Sequence, residues 1–181
     1  MSFPMKIVMI GDPQQSRLLE FIGEVFRGDF TLIPGPDFAF KVMNIGGNTL
    51  NFQVYQLSKD PTVKNERSRY YYGALGAVIS IDVTQPSSFE SIPSWLEEIW
   101  TYNGKETMIP IVIVGLNIHE RAKIHESISD NTIEIFVREK NEKHNARIQY
   151  IPVNERTGEN VAKIWEYLGK WYINYLRQFE S

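Results

Sequence analysis

Three largely apolar runs, Met5–Ile10, Ala74–Val83 and Ile109–Gly115, most limit what this chain can fold into. A strand with apolar side chains on both faces has to be covered from both sides, as strands inside a parallel sheet are. The segments between the runs supply the cover. Gln15–Phe26 reads as a helix with Leu18, Leu19, Ile22, Val25 and Phe26 inward, and Ser87–Tyr102 as one carried by Phe89, Ile92, Trp95, Leu96, Ile99 and Trp100. Pro93 should kink that second helix or delay its regular start.

Phe38–Ile45 and Leu50–Leu57 both alternate, and Gly46-Gly47-Asn48 between them predicts a hairpin. Arg27–Asp37 and Ser58–Asn65 read as loops and Glu66–Tyr72 as a short helix. A polar loop follows Gly115. A helix is expected over Asp130–Lys143, a last strand over Ile148–Val153, and a long amphipathic helix over Val161–Phe179 whose apolar face carries Val161, Ile164, Trp165, Leu168, Trp171, Tyr172, Tyr175 and Phe179. Strands alternating with helices predict an α/β fold: a mostly parallel six-stranded sheet, one antiparallel edge strand, and helices on both faces. No repeat or linker divides residues 1–181, so one domain is expected.

The stretch Ile7-Val8-Met9-Ile10-Gly11-Asp12-Pro13-Gln14-Gln15-Ser16-Arg17-Leu18-Leu19 has the layout of a phosphate-binding loop, strand then Gly-x-x-x-x-Gly-Lys-Ser/Thr then helix. In such a loop backbone N–H groups surround phosphates, a lysine reaches the terminal ones and a hydroxyl holds Mg²⁺. Gly11 keeps the first glycine. Ser16 stands for the second, Arg17 for the lysine and Leu18 for the hydroxyl. Arg17 can still pair with a phosphate, since guanidinium is a good phosphate partner.

A net charge of −3 gives no electrostatic case for nucleic acid or a membrane surface. The absence of cysteine excludes disulfides, thiolate metal sites, a cysteine nucleophile and any lipid carried on cysteine. Met1-Ser2-Phe3-Pro4 is neither a signal peptide nor a myristoylation site, and no apolar run reaches membrane-spanning length. A cytoplasmic protein without lipid anchor or transmembrane segment is expected. His119, Glu120, His125 and Glu126 lack the His-Glu-x-x-His spacing and read as solvated side chains, so no metal is expected there.

Four stretches resemble the Ras superfamily of small GTPases, its Rab branch above all. They are Lys6–Asp12, Gly35-Pro36-Asp37-Phe38, the run Arg69–Ile79 with Ile81–Thr84 and Ser88–Ile99, and Thr157–Val161. The resemblance implies a P-loop G domain and assigns nucleotide motifs to positions where their chemistry is missing. The switch-one threonine falls on Ile33. Trp-Asp-Thr-Ala-Gly-Gln falls on Tyr55-Gln56-Leu57-Ser58-Lys59-Asp60, which puts Gln56 at the Mg²⁺-associated aspartate, Lys59 at the γ-phosphate glycine and Asp60 at the water-positioning glutamine. The guanine-reading Asn-Lys-x-Asp falls on Leu116-Asn117-Ile118-His119, and Ser-Ala-Lys on Asn154-Glu155-Arg156.

The implied reading is a pseudo-GTPase, a protein-binding module in trafficking or signalling-type assemblies, with no catalytic residues and no expected cofactor. Gly11, Gln15, Ser16, Arg17 and Asn117 would be the remnant of a nucleotide site. The family's effector-reading aromatic triad falls on Phe38, Tyr55 and Tyr70, and the implied partner is an effector or a related GTPase. The alternative is a noncanonical switch that takes GTP or GDP with Mg²⁺ through Arg17 and the Gly11–Leu18 loop.

Overall fold

The computed structural model describes residues 2–11, 24–26, 36–104 and 108–178. Strands β1 (Ser2–Gly11), β2 (Glu24–Phe26), β3 (Asp37–Ile45), β4 (Asn48–Gln56), β5 (Gly76–Asp82), β6 (Ile111–Leu116) and β7 (Ile148–Pro152) form one sheet in the order β2-β3-β4-β1-β5-β6-β7. β1 runs parallel to β4 and β5, and β6 runs parallel to β5 and β7. β3 is antiparallel to β4, as the hairpin signal requires.

The expected mostly parallel sheet is present, with β2 added beyond the antiparallel strand. Residues 24–26, read from the sequence as the tail of the helix Gln15–Phe26, are strand instead and pair Glu24↔Phe40, Val25↔Ala39 and Phe26↔Phe38. The open edge of β3 offers backbone partners to a β-prone Val-Phe pair, and tertiary pairing overrides the helical period there. The rest of that helix and most of the loop after it lie outside the described residues.

The β3–β4 turn is tight. Ile45 pairs with Asn48, leaving Gly46 and Gly47 as the whole loop, at φ 57° and 81°. A two-residue turn with both residues left-handed matches the twist of its strands, and glycine adopts it without strain.

Helices cover both sheet faces. Met5, Ile7 and Met9 of β1 point, with Leu50, Phe52 and Val54 of β4, into a cluster closed by Trp165 and Leu168 of the long helix α5 (Val161–Arg177). Val8 and Ile10 point the other way, among residues of α1 (Lys64–Tyr71), α3 (Ile92–Asn103) and α4 (Asp130–His144). The apolar runs are thus divided between two cores by the strand period. Pro93 resolves the Ser87–Tyr102 reading into two helices, α2 (Pro86–Glu90) and α3, and stands in the first turn of α3, where a missing N–H costs nothing. The loop read over Ser58–Asn65 contains a 3₁₀ turn at Pro61–Val63 and the start of α1, and the polar loop after β6 contains another at Ile118–Lys123.

Trp171, Tyr172 and Tyr175, read from the sequence as apolar-face residues of α5, stand at its margin; Tyr175 is 39% exposed. Gly169 takes their place on the buried face. A Cβ there would lie 2.5 Å from Ile45 Cδ1 and 2.7 Å from Leu50 Cδ1, so α5 seats on the hairpin through a position without a side chain. Gly169→Val is expected to overpack this contact and destabilise the fold by about 1–3 kcal/mol, read as a shifted urea midpoint at unchanged slope.

Candidate functional site

Two regions carry the residues that the sequence singled out. The first is the edge where β1, β5 and β6 end together. Gly11 closes β1 at φ 124°, and a Cβ on it would stand 2.1 Å from the Ser80 carbonyl oxygen of β5, so no other residue fits without backbone movement. Gln15, Ser16, Arg17 and Leu18 lie outside the described residues.

At the end of β5, the strand that Gly11 pairs with, Asp82 is buried and its carboxylate is well supplied. Oδ1 accepts from the Thr84 N–H (2.9 Å) and hydroxyl (2.6 Å), and Oδ2 accepts from Asn117 Nδ2 (2.8 Å). Asn117 sits in the left-handed region at φ 59°, a conformation asparagine tolerates. Its N–H donates to Glu155 Oε2 (3.1 Å). The Glu155 side chain is fully buried, and its other oxygen lies 3.7 Å from His119 Nδ1. His119 Nε2 in turn lies 3.3 Å from Glu120, which Lys123 (2.8 Å) and Arg156 (3.4 Å) also approach.

Asn117 therefore joins Asp82 and Glu155 in one network. Sequence reasoning registered Glu155 only as a replacement and missed its burial, because nothing in a polar loop reveals which carboxylate turns inward. Among the described residues no group of three or more His, Asp or Glu is placed to hold a metal ion, and His125 and Glu126 are exposed.

The second region is aromatic. Phe38 and Tyr55 are cross-strand partners with ring centroids 5.0 Å apart, and Tyr70 of α1 lies 5.6 Å from Tyr55. All three are half-buried, so the structure brings them into one continuous surface run. Lys6 Nζ stands 5.8 Å over the Tyr55 ring and donates to the Tyr72 carbonyl (2.8 Å). Lys6, Tyr55, Glu66, Arg69 and Tyr70 line a groove of about 310 Å³ there. The three successive tyrosines part company: Tyr70 joins the surface run, Tyr71 is fully buried, and Tyr72 is 78% exposed.

Behind that surface is a charged contact absent from the sequence reading. Arg67, 5% exposed, donates from Nε to Glu98 Oε1 (2.6 Å) and from Nη2 to Oε2 (3.1 Å). Its Nη1 donates to the carbonyls of Ser58 (2.7 Å) and Asp60 (3.0 Å). Tyr71 donates to Glu98 Oε1 (2.8 Å), and the guanidinium lies 5.4 Å over Trp95. The signal was faint: Trp95, Glu98 and Tyr102 share one stripe of α3, and Arg67 and Tyr71 one stripe of α1, so charge interrupts aromatic faces on both helices.

Burial pushes the Glu98 carboxyl up. The hydrogen bonds from Arg67 and Tyr71 and the charge of Arg67 overcome that and hold it below the ordinary glutamate value. Burial, with the Glu98 charge adding to it, drives the Tyr71 phenol well above its usual range.

The Ras family model matches residues 6–173. Among curated proteins the chain is similar to the Ras-related protein RABA6b of Arabidopsis thaliana, 32% identical over 110 residues, 59% of this chain and 48% of that protein. RABA6a of the same plant is 27% identical over 67% of this chain and 53% of its own length. The Ras-related protein Rab-18 of Lymnaea stagnalis is 28% identical over 91% of this chain and 78% of its own. The chain thus spans about half the length of the two plant relatives.

Glu98→Ala would leave a buried guanidinium without its carboxylate, and is expected to cost about 3–5 kcal/mol in denaturant unfolding. Because the folded state lowers the Glu98 pKa, its contribution is complete above the unfolded value of about 4.5 and disappears as pH falls through the lower folded value. Melting temperature measured down through that range should fall less steeply in Glu98→Gln than in the parent.

Proposed function

The chain belongs to the Ras family, and on that footing we propose that it is a Rab-like pseudo-GTPase, a cytoplasmic protein-binding module of trafficking or signalling-type assemblies. The observation that carries the reading is the continuous surface of Phe38, Tyr55 and Tyr70. Half-buried aromatics fixed by their neighbours make good anchors for a partner, because little side-chain freedom remains to be lost. An effector or a related GTPase is the partner proposed.

The nucleotide side of the reading rests on chemistry. His119 replaces the carboxylate that would accept from guanine, Gln56 replaces the aspartate associated with Mg²⁺, and Leu18 replaces its hydroxyl ligand. Asn117, meanwhile, spends its amide on Asp82 and its N–H on Glu155. Each lost partner of a desolvated charged hydrogen bond costs about 2–5 kcal/mol of binding, and about 1.4 kcal/mol is tenfold in affinity. Hydrolysis suffers further, since phosphoryl transfer depends on positioned charge and metal.

Titration with a fluorescent GTP analogue and Mg²⁺ is expected to show no saturable signal at micromolar protein, and heat-denatured protein should release neither GDP nor GTP. Saturation would instead favour a switch built on Arg17 and the Gly11–Leu18 loop. With an isolated partner, Phe38→Ala combined with Tyr70→Ala should weaken binding by about 2 kcal/mol or more in calorimetry. Unchanged affinity would remove the aromatic surface from the interface.

A further inference from the structure

We propose that Arg67 and Glu98 are positioning residues that hold the segment between β4 and α1, and with it the aromatic surface, in one arrangement that needs no bound nucleotide. The inference rests on the reading that Phe38, Tyr55 and Tyr70 face a partner, and it specifies how that face is kept ready.

The stretch 58–60 contains the two positions, Lys59 and Asp60, that the family resemblance assigns to contact with a γ-phosphate and with an attacking water. In a switching protein such a segment is ordered by the phosphate and released when it leaves. Here the same backbone is gripped from inside the protein. Leu57 N–H donates to the Met9 carbonyl of β1 (2.8 Å), fixing the start. Arg67 then takes the Ser58 and Asp60 carbonyls with a single nitrogen, while its other two nitrogens are bound by Glu98 of α3. Asp60 caps the 3₁₀ turn that follows, accepting from the Thr62 N–H (2.8 Å) and hydroxyl (2.7 Å). Asn103, at the end of α3, donates to the carbonyls of Tyr71 (2.7 Å) and Ala74 (3.0 Å) and so closes the other end of α1.

Every contact in this set is made by the chain's own atoms, and the ion pair at its centre is shielded from water. A buried, bidentate guanidinium–carboxylate pair resists both salt and rearrangement. Tyr70 lies between Arg67 and Tyr71 in the chain, both of which bind Glu98, so its backbone is held by theirs while its ring packs 5.6 Å from that of Tyr55.

Amide hydrogen exchange on the free chain tests this without a partner. In the parent protein the N–H groups of Asp60, Thr62 and Val63 are expected to be protected, equally with and without GTP and Mg²⁺. In the double variant Arg67→Met/Glu98→Leu, an apolar pair can preserve global stability, so the melting temperature should fall by no more than about 5 °C. The same three amides should nevertheless exchange roughly tenfold faster or more, while Leu57 keeps its protection. Arg67→Lys keeps the charge but cannot bridge a carboxylate and two carbonyls at once, and should loosen the same amides if the double variant fails to fold.

Protection that appears only with nucleotide, or equal exchange in parent and variants, overturns the proposal. If the nucleotide binds and the three amides are equally protected with and without it, the positioning role stands and the pseudo-GTPase reading falls.

Discussion

Strands buried on both faces leave little place for polarity along their length, and the arrangement of this protein follows from that. All seven residues of β5 and all six of β6 are buried. Polar side chains are consequently gathered where the strands end, and a polar group buried there has to find a partner. Asn117 links the buried carboxylates of Asp82 and Glu155 across three separate segments in this way, leaving Glu155 Oε1 without a hydrogen-bond partner among the described residues. On the antiparallel side the demand is weaker, since β4 alternates buried and partly exposed residues and β3 buries only Ala39 and Ile45. That alternation is what allows Phe38 and Tyr55 to stand at the surface.

The helices α1 and α3 pack against each other. An ion pair taken out of water is costly to assemble, and its separation leaves an uncompensated charge, so such pairs define geometry more than they add stability. Arg67 and Glu98 fit that description: one guanidinium ties two loop carbonyls to a helix 31 residues further along the chain.

The parts of the fold legible in the sequence are those governed by local rules. The apolar runs placed β1, β5 and β6, the Gly46-Gly47 pair placed the hairpin, and Pro93 marked the break between α2 and α3, because each acts within a few residues. β2 escaped because three residues carry almost no period of their own and are strand only by virtue of the neighbour they pair with. The aromatic run was placed by the family resemblance, and the hairpin register that pairs Phe38 with Tyr55 brings two of its three members together. The Arg67–Glu98 pair and the inward turn of Glu155 were not, since each joins elements far apart in sequence, and a charged residue is usually solvated.

Gly11 bears on how signature residues are interpreted in proteins of this kind. The oxygen of Ser80 lies where its Cβ would be, so glycine is demanded by the seam between two neighbouring strands, whatever lies beyond. Such a residue would be retained in a lineage whose ancestral ligand had been abandoned. Its survival testifies to the architecture of the scaffold, and testimony about the ligand has to come from positions where no structural neighbour dictates the choice.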